Sequence, residues 1–221
     1  MSTGRRFVVV GTGTGVGKTA VSTAFARLAR ADGFAVAGLK PVLTGSDVPS
    51  DAELLGDATG RFVAPLYLFG PPVSPHLAAR MAGVTIEVAR IVEWVKAHES
   101  AVTIVESAGG LFSPVNDLET NADVLRALMP AEVILVCGAA LGTFHATRST
   151  LSALAREVPE AMGALTVMVS SRDGLDAGIA TAAEMETLYG SAFGIGRPLV
   201  LGPGCAFSAA ASVQLRRLLR R

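Results

Sequence analysis

Gly11-Thr12-Gly13-Thr14-Gly15-Val16-Gly17-Lys18-Thr19 follows the apolar run Phe7-Val8-Val9-Val10 and opens a helical pattern running to Ala31. A strand, a glycine-dense turn and a helix beginning in Lys-Thr stack backbone N–H groups into a concave anion site, and the helix N-terminus adds partial positive charge. Lys18 reaches terminal phosphates as a point charge, and the Thr19 hydroxyl can ligate Mg2+. Alternating glycines at 11, 13, 15 and 17 exceed what a tight strand-to-helix turn requires. The spacing reads G-x5-G-K-T from Gly11, since Thr12 stands where the usual motif has its first glycine. A dinucleotide fingerprint fits worse: counted from Gly11, its last glycine falls on Val16, and the second strand pattern ends in Lys40 rather than an acid. The stretch is a nucleoside triphosphate loop, with Gly13, Thr14, Gly15, Val16 and Gly17 around the phosphates.

Apolar runs alternate with helical patterns on both sides of this loop. Strands are expected at 5–10, 34–39, 101–105, 132–137 and 164–169, with a shorter one near 198–201. Several are continuous Val, Ile and Leu runs, as parallel strands covered on both faces require. Helices are expected at 18–31, 85–98, 119–128, 143–157, 177–190 and 208–220. Within 85–98, Ile86, Ala89, Val92 and Val95 recur at helical spacing, and Thr85 is placed to cap the first turn. Between Pro41 and Thr85 the alternation weakens, and five prolines interrupt it. That region reads as a substrate-facing insertion with short helices near 51–59 and 75–82 and one edge strand between them. The fold class is α/β: a doubly wound, mostly parallel sheet with helices on both faces, ligands meeting the carboxyl ends of its strands. With 221 residues, the chain is expected to form a single domain over 1–221.

Half the residues are apolar and 17% are charged, which excludes a disordered or acidic-tail protein. Formal charge is zero, with no concentrated basic surface, so no nucleic-acid partner is expected. Cys137 and Cys205 lie apart without Cys-x-x-Cys spacing and read as small apolar residues of a reducing compartment. Residues 1–10 have no signal-peptide core and no apolar run reaches 18 residues, so a soluble cytoplasmic protein without membrane partner is expected.

Four further stretches carry chemistry. Glu106 caps strand 101–105 and precedes Ser107-Ala108-Gly109-Gly110; a carboxylate at that tip lies beside the metal of a nucleotide on the loop. Lys40 ends the second strand pattern, and a cation there suits a transferring phosphoryl group or an anionic intermediate. No partner stands near Lys40 in sequence, so its ammonium is expected to face the ligand crevice rather than hold the fold. Asp51 could cap or open a helix, or serve as a second metal carboxylate, and spacing leaves these open. Ser74, between Val73 and Pro75-His76, has no base visible in sequence that would make it a nucleophile. Thr143, after Leu141-Gly142, begins a helix whose N-terminus can hold a carboxylate. Asn-Lys-x-Asp is absent; Ser170-Ser171-Arg172-Asp173 occupies the loop where a base-reading element would sit, favouring adenine over guanine.

These residues together carry a pattern that resembles the dethiobiotin synthetase family, ATP-dependent carboxylases of biotin synthesis on a P-loop nucleoside triphosphate hydrolase fold. The resemblance rests on the glycine loop, Lys40-Pro41-Val42-Leu43-Thr44-Gly45, Ser50-Asp51, Ser74-Pro75-His76, Val105-Glu106-Ser107-Ala108-Gly109-Gly110 and Leu141-Gly142-Thr143, in family order. It implies that 7,8-diaminononanoate reacts with CO2 to a carbamate, ATP phosphorylates it, and the second amine closes the cyclic urea with loss of phosphate. It further implies that Lys18, Lys40 and Thr44 are catalytic and that Thr19, Asp51 and Glu106 hold Mg2+. Ser170 and Ser171 would adjoin the nucleotide. Ser74, Pro75, Gly109 and Gly110 would line the substrate, and Leu141, Gly142, Thr143 and Phe144 would meet its tail from the partner subunit of a homodimer. Ser107 stands where the family usually has glycine, and Phe144 where it often has asparagine. The competing readings are another ATP-dependent ligase or kinase on this fold, and a non-catalytic nucleotide switch. A partitioning-type switch would carry an extra lysine early in the loop, and residues 11–17 contain none.

Overall fold

Arg5–Gly11 (β1) buries Phe7, Val8, Val9 and Val10 alike in the structure, a computed structural model that describes residues 4–45 and 47–220. Such a strand must be covered on both faces. Val8 and Val10 point to one face, where they join Leu39, Val105 and Leu135; Phe7 and Val9 point to the other with Ile104 and Ile134.

The sheet holds six strands in the order β2-β5-β1-β6-β7-β8: Val36–Leu39 (β2), Val102–Glu106 (β5), β1, Glu132–Gly138 (β6), Leu165–Ser170 (β7) and Leu199–Leu201 (β8). All neighbours are parallel. Lys18–Ala31 (α1) and Ala209–Leu219 (α9) cover the Phe7 face, where Phe25 meets Phe7 edge-on at 4.8 Å between ring centroids. Pro75–Met81 (α3), Val88–Ala97 (α4), Asn121–Ala127 (α5), Thr143–Glu157 (α6) and Leu175–Phe193 (α8) contribute to the other layer. The remaining helices are Asp51–Thr59 (α2) and the single turn Pro159–Met162 (α7). Because all strands run the same way, their carboxyl ends share one edge. The register Val9↔Glu106 and Leu39↔Val105 brings the tips of β1, β5 and β2 side by side there. Among the described residues, no helix is long and apolar enough to cross a membrane.

Several boundaries differ from the sequence reading. The second strand begins at Val36 rather than 34, and Glu106 belongs to β5 itself. Helix 85–98 begins at Val88 with Glu87 at its N-cap, so Thr85 does not cap it. Helix 177–190 is longer, since no residue between 175 and 193 breaks it. The strand expected in the insertion exists as Tyr67–Phe69 (β4), but it is no edge of the main sheet. It pairs in parallel with Val42–Thr44 (β3), an unexpected strand two residues beyond the end of β2, in a separate two-stranded sheet.

Candidate active site

Gly17, at φ 98°, forms the N-cap of α1 without any side-chain cap, and the first turn carries no acid. The amides of that turn are therefore left for an external anion. Only glycine serves here: a Cβ on Gly17 would stand 2.3 Å from Ser170 Oγ, on top of the unfavourable φ. The Lys18 stem lies along the loop and its Nζ donates to the Gly13 carbonyl at 2.8 Å. Burial, with Lys40 nearby, lowers the Lys18 pKa to about 8.

One continuous network lies beyond the loop. Thr19 Oγ1 is 2.8 Å from Asp51 Oδ1 and 2.9 Å from Glu106 Oε1. Lys40 Nζ is 2.7 Å from Asp51 Oδ2 and 2.7 Å from Glu106 Oε1, and it also donates to the Ser107 carbonyl at 3.3 Å. Glu106 is 0% and Lys40 4% exposed, so the pair is almost wholly desolvated at the base of its cleft. Burial works against the Lys40 charge, yet the Glu106 and Asp51 carboxylates outweigh it and hold its pKa above the ordinary lysine value. Asp51 is partly desolvated, but Lys40 and the Thr19 hydroxyl hold its carboxyl below the usual range. The expectation that Lys40 lacks a partner and takes no part in holding the fold is thus corrected: β5 delivers Glu106 from a distant part of the chain, and α2, the next helix, delivers Asp51. Asp51 opens α2 but does not cap it. Ser50 caps α2 in a capping box with Glu53, which leaves Asp51 at the first helical position with its carboxylate turned to Thr19 and Lys40.

These groups form the floor of a cleft of about 670 Å³. Thr14, Gly15, Gly17 and Arg172 stand on one side, and Thr44, Ser74, Pro75 and Gly109 line the rest. Gly109 is at φ 79° and hugs Ser113, whose Oγ would be 2.3 Å from any Cβ there. A Cβ on Gly110 would be 3.3 Å from Gly13 Cα, so the loops after β1 and β5 are in close contact. Val16 packs into the α1-side core beneath the loop.

Other expected residues lie elsewhere. Ser170 and Ser171 are buried and do not line the cleft: Ser170 backs Gly17, and Ser171 Oγ donates to the Gly174 carbonyl at 2.7 Å. Their neighbour Arg172 reaches the cleft instead, with Nη2 3.3 Å from the Gly15 carbonyl. Leu141, Gly142, Thr143 and Phe144 lie outside the cleft of their own chain. Leu141 is fully exposed, Gly142 is an uncapped helix start at φ 87°, and Thr143 is buried. Phe144 packs against the core, and its carbonyl accepts from the Tyr189 hydroxyl at 2.8 Å. The structure also places a base beside Ser74: His76 Nδ1 is 3.0 Å from Ser74 Oγ. The Ser-Pro-His spacing was the available signal, but only the turn conformation brings the two groups together.

The site can bind a polyphosphate on the loop and present two lysines to negative charge developing beside it. Residues 5–187 match a family model described as an AAA domain. The fold is similar to that of the signal recognition particle receptor FtsY from Elizabethkingia anophelis, with a TM-score of 0.55 at 15% identity, covering 99% of this chain and 66% of that one. This chain thus spans slightly less than two thirds of that receptor's length. A ParA family ATPase from Chlorobium tepidum is similar with a TM-score of 0.54 at 16% identity, covering 91% of this chain and 84% of the other. These likenesses concern the fold alone. Sequence relatives are more specific. The ATP-dependent dethiobiotin synthetase BioD of Anaeromyxobacter dehalogenans is 44% identical over 161 residues, 69% of this chain and 71% of that protein. The protein of the same name from Pseudomonas aeruginosa is 34% identical over 193 residues, 80% and 84% of the two chains. With the loop, its two lysines and its paired carboxylates gathered in one cleft, the chain belongs to the ATP-dependent dethiobiotin synthetase family.

Proposed function

We propose that this chain carries out ATP-dependent dethiobiotin synthesis in the cleft above Lys40, joining CO2 to 7,8-diaminononanoate. One observation carries the division of roles: Lys18, Thr19, Lys40, Asp51 and Glu106 meet on a single cleft floor. The first amine and CO2 form a carbamate. A carbamate oxygen attacks the terminal phosphorus of ATP, and ADP leaves. The second amine attacks the carbon of the mixed anhydride, the C–O bond to phosphate breaks, and the cyclic urea closes. The protein supplies positioning and charge at each stage. Gly13 to Gly17 offer backbone amides to the phosphates, Lys18 neutralises the transferring group, and Lys40 neutralises the carbamate and anhydride. Thr44 holds the reacting end, while Ser74, Pro75 and Gly109 flank the diamine and Gly110 supports the loop beside it.

The donor set fits Mg2+. It is all oxygen: one hydroxyl and two carboxylates, with Glu106 Oε2 buried and unpartnered. Few protein ligands suit an ion that keeps phosphate oxygens and waters. Thr19, Asp51 and Glu106 would hold it, and bound there it would neutralise charge on the phosphate oxygens. A homodimer completes this reading, with residues 141–144 of a second copy meeting the substrate's distal carboxylate. The test is to incubate the purified protein with ATP, Mg2+, bicarbonate and the diamine and identify the product by mass. ADP formation without a urea product would overturn the assignment in favour of another ligase or kinase.

A further inference from the structure

Ser74 occupies the N-cap of α3, a position where a serine hydroxyl ordinarily accepts from the helix amides. Here it makes no such bond; the hydroxyl is held 3.0 Å from His76 Nδ1 instead. Ser74 lines the reaction cleft. His76 lines a different cavity of about 550 Å³ behind it, formed by the end of α3 and the 115–119 loop. The pair therefore links two cavities, Ser74 lining one and His76 the other.

Ring closure has a proton to place. The ring-closing nitrogen carries two hydrogens as the neutral amine and one in the urea, so a proton must leave as the C–N bond forms. Asp51 and Glu106 are engaged with Lys40 and Thr19, and the two lysines are cationic or needed as such. The remaining carboxylate along the cleft is Asp47, which is exposed.

We infer that Ser74 and His76 form a proton relay for ring closure. This rests on the reading that the diamine lies against Ser74. As the amine attacks the anhydride carbon and phosphate departs with the C–O electron pair, the amine proton passes to Ser74 Oγ. The serine's own proton passes to His76 Nδ1, and the imidazolium releases one to water in the rear cavity. The charged groups on that cavity are Arg80 from α3 and Asp117 and Glu119 from the loop. Arg80 is ion-paired with Asp117, and Glu119 accepts from Asn116 Nδ2 at 2.7 Å. His76 is a positioning and relay residue, since it does not touch the substrate.

His76→Asn tests this, because its amide oxygen can take the place of Nδ1 and hold the Ser74 hydroxyl without titrating. General acid–base groups contribute roughly 100-fold or more, so turnover of His76→Asn should fall roughly 100-fold with the melting temperature retained. The wild-type acid limb in log kcat against pH should vanish in the variant. ADP should also outrun dethiobiotin, as unclosed anhydride hydrolyses. Ser74→Ala should reproduce both effects. A His76→Asn enzyme that keeps the acid limb and a near-normal rate overturns the relay while leaving the synthetase reading intact. Loss of the limb in Asp47→Asn but not in His76→Asn assigns the proton to Asp47 and likewise overturns it. If the wild-type protein makes no urea at all, the reading on which the relay rests falls, and the relay with it.

Discussion

Lys40→Met keeps most of the apolar stem and deletes the ammonium, so it isolates what the charge does for the fold. In the variant, Glu106 Oε1 would keep only the Thr19 hydroxyl, and Oε2 has no partner already. A carboxylate with no exposure would then lose its ion-pair partner, and the other nearby ammonium, Lys18, donates to the Gly13 carbonyl instead. Removing one partner of a buried pair costs about 3–5 kcal/mol, mostly because the other charge stays buried. Asp51 contributes little to this figure, since its side chain is 35% exposed and water screens it. For a chain of this size each kcal/mol shifts Tm by about 2–4 °C, so a fall of about 6–20 °C is expected without metal. The measurement is scanning calorimetry of wild type, Lys40→Met, Glu106→Gln and the double variant in chelator. Because the penalty belongs to the stranded carboxylate, the double variant should regain at least half the loss, a strong departure from additivity. Lys40→Met melting within about 2 °C of wild type, or additive effects, would refute the buried-pair argument. Activity reports separately: kcat/KM for the diamine should drop by about 3 kcal/mol, roughly 100-fold, with ATP affinity affected less. If ATP affinity collapses while turnover at saturating ATP survives, Lys40 serves the nucleotide and the division of labour between the two lysines is wrong.

Three further outcomes are expected. With its pKa lowered to about 8, Lys18 should take up a proton when a triphosphate binds: about half a proton at pH 8 and about a tenth at pH 7, read by calorimetry in buffers of different ionisation enthalpy. Uptake that is absent at pH 8, or unchanged between the two pH values, refutes the lowered Lys18 pKa. The Lys40–Asp51 pair should stabilise the fold within a window. Asp51 is depressed, so its share is present above the unfolded carboxylate value of about 3.9 and lost as pH falls through the folded value. Lys40 is raised, so its share is present below the unfolded lysine value of about 10.4 and lost as pH rises through the folded one. The Tm difference between wild type and Asp51→Asn should therefore be flat from about pH 5 to 9 and shrink outside that range; a steady slope across neutral pH contradicts it. Finally, Leu141 is fully exposed beside the uncapped start of α6, and Leu141→Asp should turn a dimer into monomers in sedimentation and raise KM for the diamine. A fully active wild-type monomer at micromolar concentration excludes the shared site.

What could be read from the sequence was local, or set by strand ends. Lys18 and Thr19 sit inside a contiguous motif, and Lys40 and Glu106 each terminate an apolar run. In a parallel sheet that position alone puts a residue on the ligand edge. The cap of α2 stayed open, because Ser50 and Asp51 are both good cap residues; the structure gives the capping box to Ser50 and Glu53. Contacts between segments were not legible. Lys40 and Glu106 are 66 residues apart, and Arg172 reaches Gly15 across 157, distances at which no spacing rule operates. The strand β3 was hidden for a related reason. Three residues are too few to show a period, and β3 is defined only by its pairing with Tyr67–Phe69. Lys40 brings both limits together. Its place at the strand end put it on the cleft floor, yet the absence of a nearby acid suggested a charge without structural work. The tip of β5 delivers Glu106 and the first turn of α2 delivers Asp51, so one ammonium both neutralises the buried carboxylates and faces the cleft. Holding the fold and serving the reaction are therefore not alternatives at this residue. The carboxylates that would ligate the metal are the same groups that keep Lys40 charged and in place.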